Sequence, residues 1–440
     1  MSQARPLLPI LVLIAAALAL ASSGVAAAGG PGRAAVASAH PLATRAAVEV
    51  LREGGNAFDA AVAASAALAV VEPMSSGLGG GGFWLLHVAA NGRDTMVDGR
   101  ERAPLGASRN MYLTPAGKAR DHLSLDGPLA AAIPGEPAAL VYIAKHYGRL
   151  PLAESLRPAI RYARQGFAVD AHYRRLAQFR RPLLVRYPQT AAIFLHDNAV
   201  PPVGWVLRQP ELAATLEALA KNGRAGFYQG EIAQRLVKAV RAAGGIWSLE
   251  DLRQYRVIER APARVHYRGL NVTTAALPSA GGLQLAIMLN ILAGYDLDSL
   301  DEAHRVHLVV EAMRRSYCVR NRYLGDPDYV AVPRQRLASP IYAAALRRGI
   351  DLEHATRSAA LGKSCGAPSK EGPDTTHLSI IDADGNRVAA TLSINYPFGS
   401  GFVAAGTGIV LNDEMDDFAT HPGEPNVYGL VGGEANAVAP

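Results

Sequence analysis

Asp374-Thr375-Thr376-His377-Leu378-Ser379-Ile380-Ile381 is the stretch that decides the fold, because it opens a β-hairpin whose register can be counted. The polar, breaker-rich run SCGAPSKEGPD (364–374) precedes it, and His377 to Ile381 reads as strand. Asp382-Ala383-Asp384-Gly385-Asn386 predicts a three-residue hairpin loop with Gly385 in the left-handed position. The chain then returns through Arg387 to Asn395. With Asp382 opposite Asn386, Thr375 falls opposite Ser393, and Asn395 lies close by.

A threonine hydroxyl is a weak nucleophile at neutral pH unless a base takes its proton. Scission of the chain before Thr375 would free an α-amino group with a pKa of about 7.7–8.0, able to act as that base within the same residue. By themselves, two threonines suit the start of an edge strand equally well. The rest of the chain has to decide between the two.

Of the 440 residues, 50% are hydrophobic and 19% charged, the composition of a globular protein with ample material for a core. Arg5, the apolar run Leu7 to Leu20 and the small residues through Ala28 predict a secretory signal peptide over 1–28, cleaved near Ala26 to Ala28. The run is short for a membrane span, no later stretch is long enough for one, and an exported protein (periplasmic or secreted) without a stable membrane anchor is expected. The formal charge of +6 comes from scattered arginines, densest in HYRRLAQFRRPLLVR (172–186). That patch reads as a solvated helix face and not as a nucleic-acid site; a basic surface favours small anionic substrates. Cys318 and Cys365 could pair in an oxidising compartment, or Cys318 could be buried in its helix.

Residues 41–53 read as a helix stopped by Gly54-Gly55, and Asn56 caps a second, alanine-rich helix from Ala57 to Val71, suited to close burial against a sheet. The glycine run SSGLGGGGF (75–83) lacks the Gly-Lys-Ser/Thr ending of a phosphate loop and leads into a strand, which excludes nucleotide binding. Phe83 to Ala90 and Arg93 to Asp98 form a second predicted hairpin around Asn91-Gly92. Arg100 follows it, either as a surface residue or as a fork for a carboxylate. Helices dominate from 135 to 245, a capped helix opens at Ser248, and strand character returns from His266 to Ala275. Helices at Leu283 to Leu292 and Glu302 to Tyr323 follow. The histidines are dispersed, and neither a metal site nor a cofactor is expected.

GGNAFDAAVA (54–63), EPMSSGLGGGGF (72–83), DGRERAP (98–104), IPGEPAA (133–139), YLGDPDY (323–329), DTTHLSIID (374–382), LNDEMDDF (411–418) and PNVYGLVGG (425–433) together resemble the γ-glutamyltransferase (γ-glutamyltranspeptidase) family of N-terminal nucleophile hydrolases, from about Ala35 to Pro440. The resemblance implies an α+β fold, a four-layer αββα sandwich, and a precursor that cuts itself. The cut falls between Asp374 and Thr375, giving a large segment (29–374, ending in a linker over 364–374) and the beginning of a small one (375–440). Thr375 would then attack the γ-carbonyl of a γ-glutamyl donor such as glutathione and pass the acyl group to water, an amino acid or a peptide. Arg100 is implied as the clamp on the donor α-carboxylate. Ser393, which stands where many members have threonine, and Asn395 would support Thr375 and the donor. Asp417 and Glu414 would hold the α-ammonium, and Tyr428 would lie in a lid over the site. One arginine and two carboxylates match the donor's adjacent carboxylate and ammonium.

Family small subunits continue past the point where this sequence stops, so the resemblance implies a chain incomplete at its C-terminus, without the Ser-Ser motif and the Gly-Gly oxyanion hole. Two alternatives follow. One is a cephalosporin (glutaryl) acylase of the same architecture, which needs Thr375 but not the ammonium grip of Asp417. The other is an inactive exported fragment that keeps the pocket without the chemistry.

Overall fold

The computed structural model describes residues 31–120, 122–362, 365 and 375–440. The predicted signal peptide, the Asp374 side of the scission bond and, Cys365 apart, residues 363–374 lie outside them. The chain opens with β1 (Ala35–Ser38), α1 (Pro41–Arg52) and α2 (Ala57–Val71), then the hairpin β2 (Gly81–Val88) and β3 (Arg93–Gly99). A helical stretch holds α3 (Glu136–Tyr147), α4 (Leu152–Gln165), α5 (Ala171–Leu184), α6 (Pro188–Phe194), α7 (Pro210–Asn222), α8 (Ala225–Tyr228), α9 (Gly230–Ala242) and α10 (Leu249–Gln254), with the short strands β4 (Phe167–Ala168) and β5 (Val206–Leu207) between them. Next come β6 (Ile258–Arg260), β7 (Ala263–Tyr267), β8 (Leu270–Thr274), α11 (Ala280–Leu292) and α12 (Glu302–Tyr323). The last strands are β9 (Thr375–Ile381), β10 (Arg387–Ser393), β11 (Val403–Ala404) and β12 (Ile409–Val410).

Six strands form one antiparallel sheet in the order β1-β9-β10-β2-β3-β6. The α+β class expected from the sequence is observed. The described residues build one full β layer, this sheet, and three two-stranded pairs, β4–β5, β7–β8 and β11–β12. Side chains alternate across a strand, so Thr376, Leu378 and Ile380 of β9 and Val388, Ala390 and Leu392 of β10 point inward and are buried. Against them packs α2, buried along its whole length. Its alanines bring helix and sheet close, and each Leu, Ile or Val enclosed between the layers contributes about 1.5–3 kcal/mol. A capping box starts α2: Asn56 Oδ1 accepts from the amides of Phe58 and Asp59, and Asp59 Oδ2 accepts from the Asn56 amide at 3.0 Å. Inward packing of the even-numbered residues leaves Thr375, His377, Ser379, Thr391 and Ser393 on the opposite face.

The hairpin register is the one counted from the loop: Thr375 pairs with Ser393, and the Asp382 amide donates to the Asn386 carbonyl at 3.0 Å. Gly385 has φ 92°. Three expectations need correction. Strand β2 begins at Gly81 and not at Phe83, because glycines here allow neighbouring chains an approach no side chain would; a Cβ on Gly82 would lie 2.4 Å from the Thr391 carbonyl oxygen. The stretch from His266 to Ala275 is not one strand but the hairpin β7–β8, turning at Arg268 and Gly269, both at positive φ. The basic patch on α5 is not simply solvated. Arg180 is buried, donates to the carbonyls of Pro397 and Gly399 at 3.0 and 2.9 Å, and lies over the Tyr396 ring. The cysteine alternatives resolve to a disulfide between Cys318 of α12 and Cys365.

Candidate active site

Thr375 opens β9 on the outer face, and its hydroxyl lies 3.2 Å from that of Ser393. The Ser393 hydroxyl also accepts the Asn395 amide at 2.9 Å. Asn395 has φ 71°, a left-handed conformation that asparagine tolerates better than most residues, and it turns the chain away from the sheet. Its side-chain amide donates to the Asp413 carbonyl at 3.0 Å, and its own carbonyl accepts the Tyr428 hydroxyl at 2.9 Å. Thr375, Ser393, Asn395 and Tyr428 therefore form one connected group.

The second group gathers around Arg100, just past β3. Its guanidinium donates to Glu101 at 2.9 Å, to Asp417 at 2.6 Å and to Glu414. Burial works against the Arg100 charge, but Glu101 and Asp417 more than offset it and raise its pKa. Burial lifts Glu101 above the usual carboxylate range although Arg100 pulls the other way. Three carboxylates around one guanidinium leave surplus negative charge for a cation, while the arginine remains the matching fork for an anion.

The groups meet through the segment 412–417. Asn412 uses all of its hydrogen-bonding capacity: Nδ2 donates to the Gly79 and Ala132 carbonyls at 2.6 and 2.8 Å, and Oδ1 accepts from the Ala132 and Glu414 amides at 2.9 and 3.0 Å. Asp413, fully buried, accepts the Tyr396 amide at 2.9 Å, and burial pushes its carboxyl well up. Asp416 accepts from Ser124 and from the Val427 amide, tying the stretch that carries Tyr428 to the acidic turn. Arg100, Glu101, Glu414 and Asp417 help line a cavity of about 430 Å³; Thr375, Ser393, Asn395 and Tyr428 are not part of its wall.

Every site residue expected from the sequence falls into one of these groups except Asp374, which is outside the described residues. Sequence reasoning missed Glu101, Arg180, Asn412 and Asp413. Glu101 and Asn412 sit inside motifs already noticed. Arg180 carries no such signal, because only the folded chain brings it to residues 396–399. Among the described residues, no group of histidine, cysteine, aspartate and glutamate side chains could hold a metal ion, and no helix is long and apolar enough to cross a membrane.

The sequence profile described as Gamma-glutamyltranspeptidase matches residues 43–440. A glutathione hydrolase proenzyme of Pseudomonas sp. (strain A14) is 42% identical over 412 residues, which is 92% of this chain and 70% of the relative. The crystal structure of the Helicobacter pylori γ-glutamyltranspeptidase superposes with a TM-score of 0.72 at 38% identity, over 73% of this chain and 93% of that one. A cephalosporin acylase from Bacillus halodurans reaches 0.76 at 29% identity, over 93% and 73%.

Proposed function

The chain belongs to the gamma-glutamyltranspeptidase family, and from that membership and the charges around Arg100 we propose that it takes the γ-glutamyl group from glutathione and related donors and gives it to water or to the amine of an amino acid or peptide. The observation that carries the proposal is Arg100 set among Glu101, Glu414 and Asp417. A γ-glutamyl donor brings a carboxylate for the guanidinium and an ammonium for Asp417 and Glu414, so each charge it buries meets its opposite.

Thr375 is the proposed nucleophile. Its hydroxyl attacks the Asp374 carbonyl, the resulting ester is hydrolysed, and residues 29–374 part from the segment that begins at 375. The freed α-amine takes the hydroxyl proton as the oxygen attacks the γ-carbonyl, and returns it to the departing amine. Water or an acceptor amine then cleaves the acyl-enzyme. Ser393, 3.2 Å from Thr375, steadies the attacking oxygen. Asn395 supports Ser393 through its amide, and Tyr428 closes over them from the lid. The leader over 1–28 would direct the protein out of the cytoplasm to the periplasm or beyond.

Mass spectrometry of the purified protein should find two polypeptides, one beginning at Thr375, and Thr375→Ala should stay a single chain. A wild-type chain that stays whole and inert would show a protein without this chemistry. Asp417→Asn separates the donors. It should lower kcat/KM for a γ-glutamyl anilide by about 100-fold, the worth of one charge-assisted bond, and leave a glutaryl anilide unaffected. Cleavage of the γ-glutamyl anilide left untouched by the change would undo the donor assignment and speak for the acylase activity.

A further inference from the structure

No residue of YLGDPDY (323–329) belongs to the nucleophile group or to the carboxylates around Arg100, yet Asp326, Asp328 and Tyr329 help line the same cavity. The motif leaves the end of α12, and Asp326 folds it back. Its Oδ1 accepts the Asp328 amide at 2.9 Å, and its carbonyl accepts the amides of Tyr329 and Val330 at 3.1 and 2.9 Å. That turn presents Asp328 to Arg260, the last residue of the edge strand β6. The two terminal nitrogens of Arg260 donate one to each Asp328 oxygen, at 3.0 and 2.6 Å, the parallel fork that suits a guanidinium. Strand β6 pairs with β3 so that Ile258 faces Asp98, which makes Asp98 and Arg260 diagonal neighbours on one face. Arg260 Nε donates to Asp98 Oδ2 at 2.7 Å, and Asp98 Oδ1 accepts the Arg100 amide at 3.0 Å. The Arg100 carbonyl accepts the Tyr255 hydroxyl at 2.7 Å, so the backbone of the clamp residue is held on both sides. An unbroken series of hydrogen bonds joins Asp328 to Arg100.

We propose that Arg260 and Asp328 are positioning residues for the donor clamp: Asp328 fixes the Arg260 fork, Arg260 fixes the rotation of the Asp98 carboxylate, and Asp98 sets where Arg100 meets the donor α-carboxylate. The inference rests on the proposed γ-glutamyl chemistry and deepens it. Burial works against the Arg260 charge, but its bonds to Asp328 and Asp98 more than offset that and raise its pKa, while Arg260 holds Asp328 below the usual carboxylate range. The pair therefore stays charged throughout the neutral range. Asp98 is buried and has one oxygen for each of its two donors. Without Arg260, one buried oxygen loses its partner and the carboxylate is free to turn away from the Arg100 amide. Without Asp328, Nε alone anchors Arg260 to the strand end. The series includes none of Thr375, Ser393, Asn395 and Tyr428, so its loss should weaken the hold on the donor and spare the cut before Thr375.

The test is KM and kcat for a γ-glutamyl anilide, with scission before Thr375 followed alongside. Asp328→Asn keeps the size and removes the charge from a side chain that is 42% exposed, a change the fold should tolerate. Its KM should rise about tenfold with kcat within about twofold, the pattern of lost binding shared by ground state and transition state. Scission should match the wild type. Asp328→Glu restores the carboxylate and should bring KM back to within about threefold of the wild type. Arg260→Lys keeps the charge, loses the fork and should raise KM at least as far as Asp328→Asn. The double variant should be no worse than Arg260→Lys, because both changes act through Asp98. An Asp328→Asn KM within about twofold of the wild type overturns the proposal. So do effects that multiply in the double variant, or a loss of scission and kcat together with KM, the mark of general damage. Should Arg260→Lys not fold, the two Asp328 variants decide alone. Wild-type protein without a measurable KM for the anilide would bring down the γ-glutamyl reading and the proposal with it; failure of the proposal alone leaves the wild-type KM in place.

Discussion

Asp413 and Asn412 are adjacent and both buried, yet they meet their burial in opposite ways. Asn412 has a partner for every donor and acceptor it offers, whereas Asp413 Oδ2 has none. Burial therefore favours the protonated form of Asp413, with Arg180 only partly opposing it. A raised folded pKa means that the folded state holds a proton the unfolded chain gives up at about pH 3.9. The associated stability is fully present below that value and is lost as the pH rises towards the folded pKa. Asp413→Asn keeps the Tyr396 contact and removes the titration. Its urea midpoint, compared with the wild type at about pH 5 and about pH 8, should gain on the wild type as the pH rises; a gap that does not widen would mean Asp413 titrates normally. Little of this could be read in advance. The motif LNDEMDDF drew attention for its acidic residues, but the partners of Asn412 come from residues 79 and 132, far off in the sequence. Spacing within a motif carries no trace of them.

Hairpins are the opposite case. Thr375 opposite Ser393 was legible because a three-residue loop fixes a two-strand register locally. A sequence-local count could not say what anchors the hairpin to the rest of the molecule. That anchor is Asp382, whose carboxylate accepts from the Asp384 and Asn386 amides and the Asn386 side chain within the loop. Across 325 positions it also accepts from the Ala57 amide at 2.9 Å. Ala57 is the first residue of α2, where an anion also meets the positive end of the helix dipole. Asp382 thus fastens the nucleophile strand to the helix beneath it. Asp382→Ala orphans buried donors on both elements and should cost about 3 kcal/mol or more, at 1–3 kcal/mol for each group left unpaired. Thermal unfolding should show the loss, and the β9–β10 amides should lose hydrogen-exchange protection ahead of those in α4. Arg180 was misjudged for a related reason. A basic run on an amphipathic helix reads as solvated, and only the docking of the 396–399 turn makes one of its arginines structural.

At the scale of the molecule, the packing falls into unequal parts. The sheet, α1 to α4 and the helices behind them share one large core, while α11 and α12 close over a much smaller one built on Leu283, Ile287, Ile291, Leu308 and Ala312. A small core supplies little stability of its own, and the cross-link lies here: Cys318 is in α12, and Cys365 stands 47 positions later, ten before Thr375. Closing a loop of that length restrains the unfolded chain by roughly 4 kcal/mol on the chain-entropy account. The bond has a second consequence if the chain parts before Thr375. The end of the larger product is then a free terminus, and the cross-link still ties Cys365, near that end in the sequence, to α12. Reduction should therefore destabilise the smaller core first, seen as an early unfolding step whose urea midpoint falls under a phosphine reductant while the step of the main sheet holds. The double variant Cys318→Ser/Cys365→Ser should start from that lowered midpoint and ignore the reductant. A wild-type midpoint that did not move on reduction would mean that the smaller core stands without its cross-link.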